Sequence, residues 1–264
     1  MSDYGHELWF GSFITPTASP PQAPVELALT SERAGLVLSL PLRPPAVLAR
    51  AAASLDRLTS GRVELGIGAG AFWDGIVAMG GRRLEPAQAV RAVEEAVDVI
   101  RGLWATDETG PLRVTGEFYT ANGAKRGPAP AHRIPIRIGA YKPRMLRLTG
   151  KIADGWLPSL GFLPKGPASL RAMNEQIDEA ASAAGREAAA VSRLLNLSGR
   201  FTSCAGGGLF EGAPGDWAEQ IADLALQYGV SGFILASDEP ADLNLFGHEV
   251  APRARELVQS ERVT

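Results

Sequence analysis

The sequence predicts an α/β protein, a parallel (β/α) barrel shortened to about seven strands. Three observations lead there. Short apolar or alternating runs recur along the chain with helical stretches after nearly every one, and repeated βα alternation argues for a parallel sheet with helices outside. The chain has 264 residues, close to the roughly 250 that one closed barrel needs, so the barrel outranks an open sheet. No linker or shift of composition divides it, so residues 1–264 are expected to form one domain.

The elements follow in order. Leu8–Ile14 is a short apolar run, read as a buried strand. Thr15–Pro24 is a proline-rich loop, and Val25–Ala34 can form a short helix closed by Gly35. Leu36–Leu40 is again strand-like. Pro44-Pro45 opens a helix in which Val47, Ala51, Leu55 and Leu58 share one apolar face, and Gly61 ends it. Arg62–Gly70 alternates, with Val63, Leu65 and Ile67 on one side and Glu64 and Gly66 on the other, and it ends in Gly68 and Gly70. Glycines at a strand end let backbone approach a ligand closely. The spacing Gly66-x-Gly68-x-Gly70 is not the dinucleotide fingerprint, because its third glycine falls early and no helix opens at once.

A longer helix opens near Pro86, striped by Val90, Val93, Val97, Ile100 and Trp104. Pro111–Gly127 reads as a hairpin-like excursion. Ile134–Tyr141 is a strand leading into a helix from Pro143, and Asp154–Pro158 is the next short strand. Pro167–Ala184 is helical with Gly185 behind it, Leu194–Phe201 is a strand, and Gly206-Gly-Gly208 is a loop. Trp217, Ile221, Leu224 and Tyr228 stripe a helix capped by Gly229, Gly232–Ser237 is the last strand, and Pro252 restarts a helical tail.

Composition narrows the functions. Net charge is −3, which gives no reason to expect nucleic acid as a partner. One cysteine, Cys204, allows no intrachain disulfide. Met1-Ser-Asp-Tyr-Gly-His6 offers neither the basic nor the apolar stretch of a secretory leader, and no apolar run approaches the ~20 residues of a membrane span. A cytoplasmic protein that spans no membrane is expected.

In such a barrel the site forms at the C-terminal ends of the strands. The segments to inspect are Ser39–Arg43, Gly68–Asp74, Gly139–Arg144, Trp156–Ser159, Ser198–Thr202 and Ala236–Asp238. Between Phe118 and Ala153 stand eight Lys/Arg and no Asp or Glu. That run surrounds Gly139-Ala-Tyr141 and a helix start, where backbone N–H groups and cations suit a phosphate. A solvated basic face is the competing explanation. The sequence holds no P-loop, no His-x-x-x-His pair and no carboxylate cluster with metal spacing, so no metal is expected. His6, His132 and His248 are far apart and read as structural, His132 least firmly. Trp73 and Trp156 sit where a ring could stack, or could pack in the core. Aromatics, glycine and anion-binding backbone with few proton-transfer groups suit a cofactor that brings its own chemistry, such as a flavin or deazaflavin.

From Leu40-Pro-Leu-Arg-Pro-Pro-Ala-Val-Leu-Ala-Arg50 through Ser54-Leu-Asp-Arg-Leu-Thr-Ser-Gly-Arg62 to Gly68-Ala-Gly70, the sequence resembles the bacterial luciferase-like monooxygenase family. More narrowly, it is similar to that family's flavin- or coenzyme F420-dependent oxidoreductases. The likeness continues in Gly139-Ala-Tyr-Lys-Pro-Arg-Met145, Ala153-Asp-Gly-Trp156 and Phe233-Ile-Leu-Ala-Ser237. The resemblance implies a TIM-type barrel binding FMN or F420 at its C-terminal mouth, with F420 slightly favoured because the basic run could meet its acidic tail. Carried over by position, Ser39 and Leu40 would lie near the ring, and Gly68, Ala69 and Gly70 would line the ring or the path to the phosphate. Gly139, Ala140 and Tyr141 would hold the phosphate, Lys142 or Arg144 would supply counter-charge, and Trp73 and Trp156 would shape the substrate pocket.

The resemblance assigns no catalytic residue. It implies a homodimer that transfers hydride between cofactor and a small organic substrate. One departure stands out. Where the family carries a second strand with an Asp-His-Pro-like end and a second helix, Ala34-Gly-Leu36 runs straight into Val37-Leu-Ser-Leu-Pro-Leu-Arg43. A unit of roughly 30–45 residues is absent, the size of a βα step. This motivates an alternative, a non-catalytic flavin-binding or scaffold protein of the same fold. A metal-dependent barrel hydrolase, the third possibility, lacks its strand-end His/Asp clusters.

Overall fold

A computed structural model describes residues 3–13, 34–203 and 207–263. The loop expected from Thr15, nearly all of the helix expected from Val25, and Cys204 lie outside the described residues. Seven parallel strands form the wall: β1 (Trp9–Phe13), β2 (Ala34–Ser39), β3 (Val63–Gly68), β4 (Ile136–Ile138), β5 (Gly155–Trp156), β6 (Ser192–Leu197) and β7 (Gly232–Ala236). They stand round a closed barrel in chain order. β2 pairs with β3 from Ala34↔Val63 to Ser39↔Gly68. β1 pairs with β7 from Trp9↔Gly232 to Phe13↔Ala236 and meets β2 at Ser12↔Ala34. The seven strands expected are the seven found.

Helices follow the strands: α1 (Pro45–Leu58) after β2, α2 (Trp73–Ala78) and α3 (Pro86–Trp104) after β3, and α4 (Pro143–Ile152) after β4. α5 (Ser169–Ala183) follows β5, α6 (Pro214–Tyr228) follows β6, and α7 (Pro240–Leu245) and α8 (Ala251–Val263) follow β7. Proline stands in the first turn of α1, α3, α4, α6 and α7, where its missing N–H costs nothing. Gly229 ends α6 at φ 69°, a left-handed position that a side chain resists. The helical restart at Pro252 is the start of α8, entered through a π turn at Phe246–Val250. Among the described residues no helix is long and apolar enough to cross a membrane.

The excursion after α3 is an antiparallel hairpin of Leu112–Thr115 on Thr120–Ala124. Glu95 docks it, its carboxylate accepting the backbone N–H groups of Glu117, Phe118 and Tyr119 at 2.8–2.9 Å. α1 departs from expectation. The face it buries is Leu48, Ala49, Ala52, Ala53 and Asp56, while Val47 is 62% and Leu58 83% exposed. Two apolar arcs run along this helix. The arc rich in alanine lies inward, because small side chains let the helix approach the sheet closely.

The strands sort their side chains by a period of two into separate cores. Val63, Leu65, Ile67, Leu195, Leu197, Phe233 and Leu235 join the large cluster between sheet and helices. Leu194 and Ile234, with Leu157 and the flank of Trp9, form a second cluster inside the barrel. At the base of that lumen Arg137 of β4 meets Glu64 of β3, both almost wholly buried, with Nη2···Oε2 2.8 Å and Nε···Oε2 3.0 Å. Arg137 also donates to the Asp154 carbonyl at 3.0 Å and to Ser192 Oγ, and its guanidinium lies 5.9 Å from the Trp9 ring. Glycine makes the room. A Cβ on Gly155 would lie 2.5 Å from Arg137 Nη1, and one on Gly232 would lie 2.5 Å from the Trp9 ring.

At the same end, Asp56 of α1 is fully buried and accepts from Val63 N, Ala131 N, His132 N and His132 Nδ1 at 2.8–3.2 Å. Burial disfavours its charge, but these donors, His132 foremost, more than offset that and hold its pKa below the ordinary 3.8. Replacing Asp56 by alanine leaves three backbone N–H groups without their partner and should cost about 3 kcal/mol in urea unfolding near neutral pH. A carboxylate with a lowered native pKa stabilises fully above its unfolded value and loses that contribution as pH falls through the native one. The gap between wild type and Asp56→Ala should therefore narrow below about pH 3.8.

Candidate functional site

The C-terminal strand ends gather most of the residues singled out in the sequence. Ser39 ends β2 opposite Gly68, the last residue of β3. A Cβ built on Gly68 would meet only Gly70 N, at 4.0 Å, so this part of the rim is open. Ala69 is half-buried. Gly70, at φ +99°, lies instead beneath Trp73, Ile76 and Pro41, where a Cβ would approach their side chains to 3.0–3.2 Å. Trp73 is half-buried and packs partly against Leu84, Ala89 and Ala92.

The loop after β4 is braced from behind. Trp156 is fully buried in the outer core, and its indole Nε1 donates to the Ala140 carbonyl at 2.9 Å. Its ring is thus packed away from solvent. Its place next to a strand end suggested a stacking ring, but as the last residue of β5 it falls on the outward phase. Leu40's side chain is likewise buried, 2% exposed within the outer core, and its carbonyl accepts from Arg43 N at 3.0 Å. Gly139 and Tyr141 remain at the rim. The Tyr141 hydroxyl accepts the Ser159 N–H at 2.8 Å, and its ring meets Phe162 edge-on at 6.1 Å.

One polar residue escaped notice in the sequence. Asn196 of β6 donates from Nδ2 to Ser159 Oγ at 3.1 Å. Its own backbone N–H donates to the Pro158 carbonyl at 2.9 Å. The available signal was an amide interrupting the run Leu194-Leu195-Asn196-Leu197. Asn196 Oδ1 and Ser39 Oγ are both buried with no hydrogen-bond partner among the described residues.

The basic run resolves into two populations. Arg126, Arg133, Arg137 and Lys151 pair with Glu108, Asp154, Glu64 and Glu94, acids that lie outside the run in sequence. Asp154 is held below the ordinary aspartate range: burial raises its pKa, but the Ile136 N–H with Arg101 and Arg133 outweighs burial. Lys142, Arg144 and Arg147 are exposed at the start of α4 and form no ion pair among the described residues. Lys142 is the N-cap of that helix, with no side-chain cap and no acid in the first turn. Pro143 has no N–H, and those of Met145 and Leu146 bond the Lys142 carbonyl at 3.0 Å, so the uncapped N–H is that of Arg144; with three cations nearby it suits an anion.

None of the three histidines stands at the strand ends described above. His132 is held by Asp56, His6 contacts the Ala189 carbonyl and Ser231, and His248 contacts the Asn244 carbonyl within its own helical turn. Among the described residues no group of three His, Cys, Asp or Glu could hold a metal ion. The site offers hydrogen bonds, aromatic surface and positive charge.

A family model described as luciferase-like monooxygenase matches residues 18–201. A phthiodiolone/phenolphthiodiolone dimycocerosates ketoreductase of Mycobacterium kansasii is 38% identical over 146 residues, which is 55% of this chain and 38% of that protein. The aligned stretch thus spans only about two fifths of the curated relatives it matches. The coenzyme F420-dependent tetrahydromethanopterin reductase of Methanopyrus kandleri superposes with TM-score 0.72 at 19% identity, over 94% of this chain and 91% of that one. An F420-dependent secondary alcohol dehydrogenase, solved with an F420–acetone adduct, gives TM-score 0.72 at 16% identity over 95% and 91%. At these identities the two structures are a likeness of fold.

The open rim and the filled base can be told apart by substitution. Gly68→Ala should leave thermal unfolding nearly unchanged, since its methyl meets open space. Gly155→Ala, pushing on Arg137 and Ser192, should cost about 1–3 kcal/mol.

Proposed function

Because the chain belongs to the luciferase-like monooxygenase family, we propose that it is a flavin- or F420-dependent oxidoreductase, with F420 favoured, acting between an organic carbonyl and its alcohol. The observation that carries this reading is the start of α4. Lys142, Arg144 and Arg147 form no ion pair there, beside the uncapped Arg144 N–H, a seat for a phosphate and an acidic tail. The open side of Gly68 and the unpartnered Ser39 Oγ fit a flat polar ring at the rim. The choice of substrate class draws on the ketoreductase and secondary alcohol dehydrogenase named above.

When bound, the deazaflavin would supply the hydride transfer. The chain's own residues orient and shield. Gly139 and Tyr141 present backbone at the phosphate seat, and Trp156 holds that backbone through Ala140. The Tyr141 hydroxyl, one lone pair already taken by Ser159 N–H, keeps its proton to offer to a carbonyl oxygen. The flank of Trp73, packed on Leu84, Ala89 and Ala92, shields one side of the site from water. The exposed Val47 and Leu58 of α1 suit a homodimer contact.

The competing reading, a protein that binds such a cofactor without turnover, rests on the absent βα step between β1 and β2. An anaerobic assay of reduced F420 against a ketone series, followed by the return of the oxidised deazaflavin's visible absorbance, separates the two. Substrate-dependent oxidation is expected; binding with no oxidation by any ketone supports the non-catalytic reading. The double variant Lys142→Ala/Arg144→Ala should bind F420 about tenfold more weakly or worse, in a salt-dependent manner.

A further inference from the structure

Three side-chain polar atoms among the described residues are buried without a hydrogen-bond partner: Ser39 Oγ, Asn196 Oδ1 and Trp217 Nε1. The last lies in aromatic packing with Phe201, Phe210 and Phe246. The first two stand on facing walls. From β2 to β6 the barrel takes three steps by way of β1 and β7, and four the other way, so Ser39 and Asn196 are nearly opposite. Both fall on the inward phase. Ser39 pairs with Gly68, which alternates with the lumenal Glu64, and Asn196 follows the lumenal Leu194 by two. An unpaired buried amide oxygen destabilises a fold unless something else compensates.

Asn196 is also held in place. Its Nδ2 is committed to Ser159 Oγ, and Ser159 in turn gives its N–H to Tyr141, at the foot of the cationic helix start. The nitrogen gives one of its two N–H donors to Ser159, whereas the oxygen, which can only accept, has no partner at all. We propose that Asn196 is a ligand-positioning residue whose carboxamide oxygen is kept unpaired to accept a hydrogen bond from an N–H or O–H donor seated between the β2 and β6 walls. Ser39 supplies the facing polar contact. The inference rests on the proposed cofactor site and adds to it the chemistry of one wall: the ligand must present a donor toward β6. That donor is either a ring N–H of the cofactor or the hydroxyl of the alcohol.

The test is Asn196→Leu, nearly isosteric and apolar, with Ser159→Ala as the control for the supporting bond. Thermal unfolding is read without ligand. If the amide is held unpaired for a ligand, Asn196→Leu melts at or above the wild-type temperature; a clear drop, beyond that of Ser159→Ala, overturns the proposal by making Asn196 a structural residue. Titration with F420 and with FMN, and the Michaelis constant for a secondary alcohol, then locate the donor. A dissociation constant weakened about tenfold for a cofactor assigns it to the ring, and an unchanged cofactor affinity with a KM about tenfold higher assigns it to the alcohol. If neither moves in a variant that melts normally, the proposal fails. If wild type binds neither cofactor, the oxidoreductase reading fails instead, while the unfolding comparison still judges the amide.

Discussion

The Arg137–Glu64 pair at the base of the lumen is the constraint on which the barrel depends. Seven strands enclose less space than eight, yet the base still has to be filled. Here one guanidinium spans it, bonded to Glu64, the Asp154 carbonyl and Ser192, with the Trp9 ring alongside. Gly155 and Gly232 exist where those two large groups leave no room for a Cβ. An ion pair taken out of water is no great source of stability in itself, but an unpaired member left behind would be severely destabilising. The pair thus ties β3 to β4 and obliges the strands around it to keep their register.

Above that plug the lumen turns apolar at Leu157, Leu194 and Ile234 and then opens at Gly68. The gradient sets where a ligand can go. The base is full, the middle is apolar, and the rim holds Ser39 Oγ, Asn196 Oδ1 and the unpaired cations. Paired and open groups are thus separated along the barrel axis, and in barrels generally chemistry sits on the loops after the strands. Asp56 with His132, and Asp154 with Arg101 and Arg133, fasten the opposite end through carboxylates whose pKa values are lowered by their donors.

Much of the fold was legible because it is written in local periodicity. The alternation of Val63, Glu64, Leu65, Gly66 and Ile67 gave both faces of β3 correctly, and proline and glycine marked the start of α4 and the end of α6. What stayed hidden depends on distant partners. Arg137 and Glu64 are 73 residues apart, so the basic run concealed that half its charges are neutralised by acids elsewhere. α1 carries two apolar arcs, and only packing against the sheet decides between them. Trp156 and Leu40 stand at strand ends but point outward, a matter of phase that strands of two or six residues leave ambiguous. Asn196 offered one amide among leucines, and its meaning appears only beside Ser159 and Pro158.

On this view a seven-strand wall still presents a mouth for a redox cofactor. Equilibrium titration of the intact chain with F420 and, separately, FMN, read by quenching of tryptophan fluorescence, puts that mouth to the test. Trp73 at the rim and Trp156 behind the loop of Gly139–Tyr141 are well placed to report. Saturable binding of F420 in the micromolar range, tighter than that of FMN, is expected. Binding of neither would contradict it, and the barrel would then be a folded scaffold without a cofactor site.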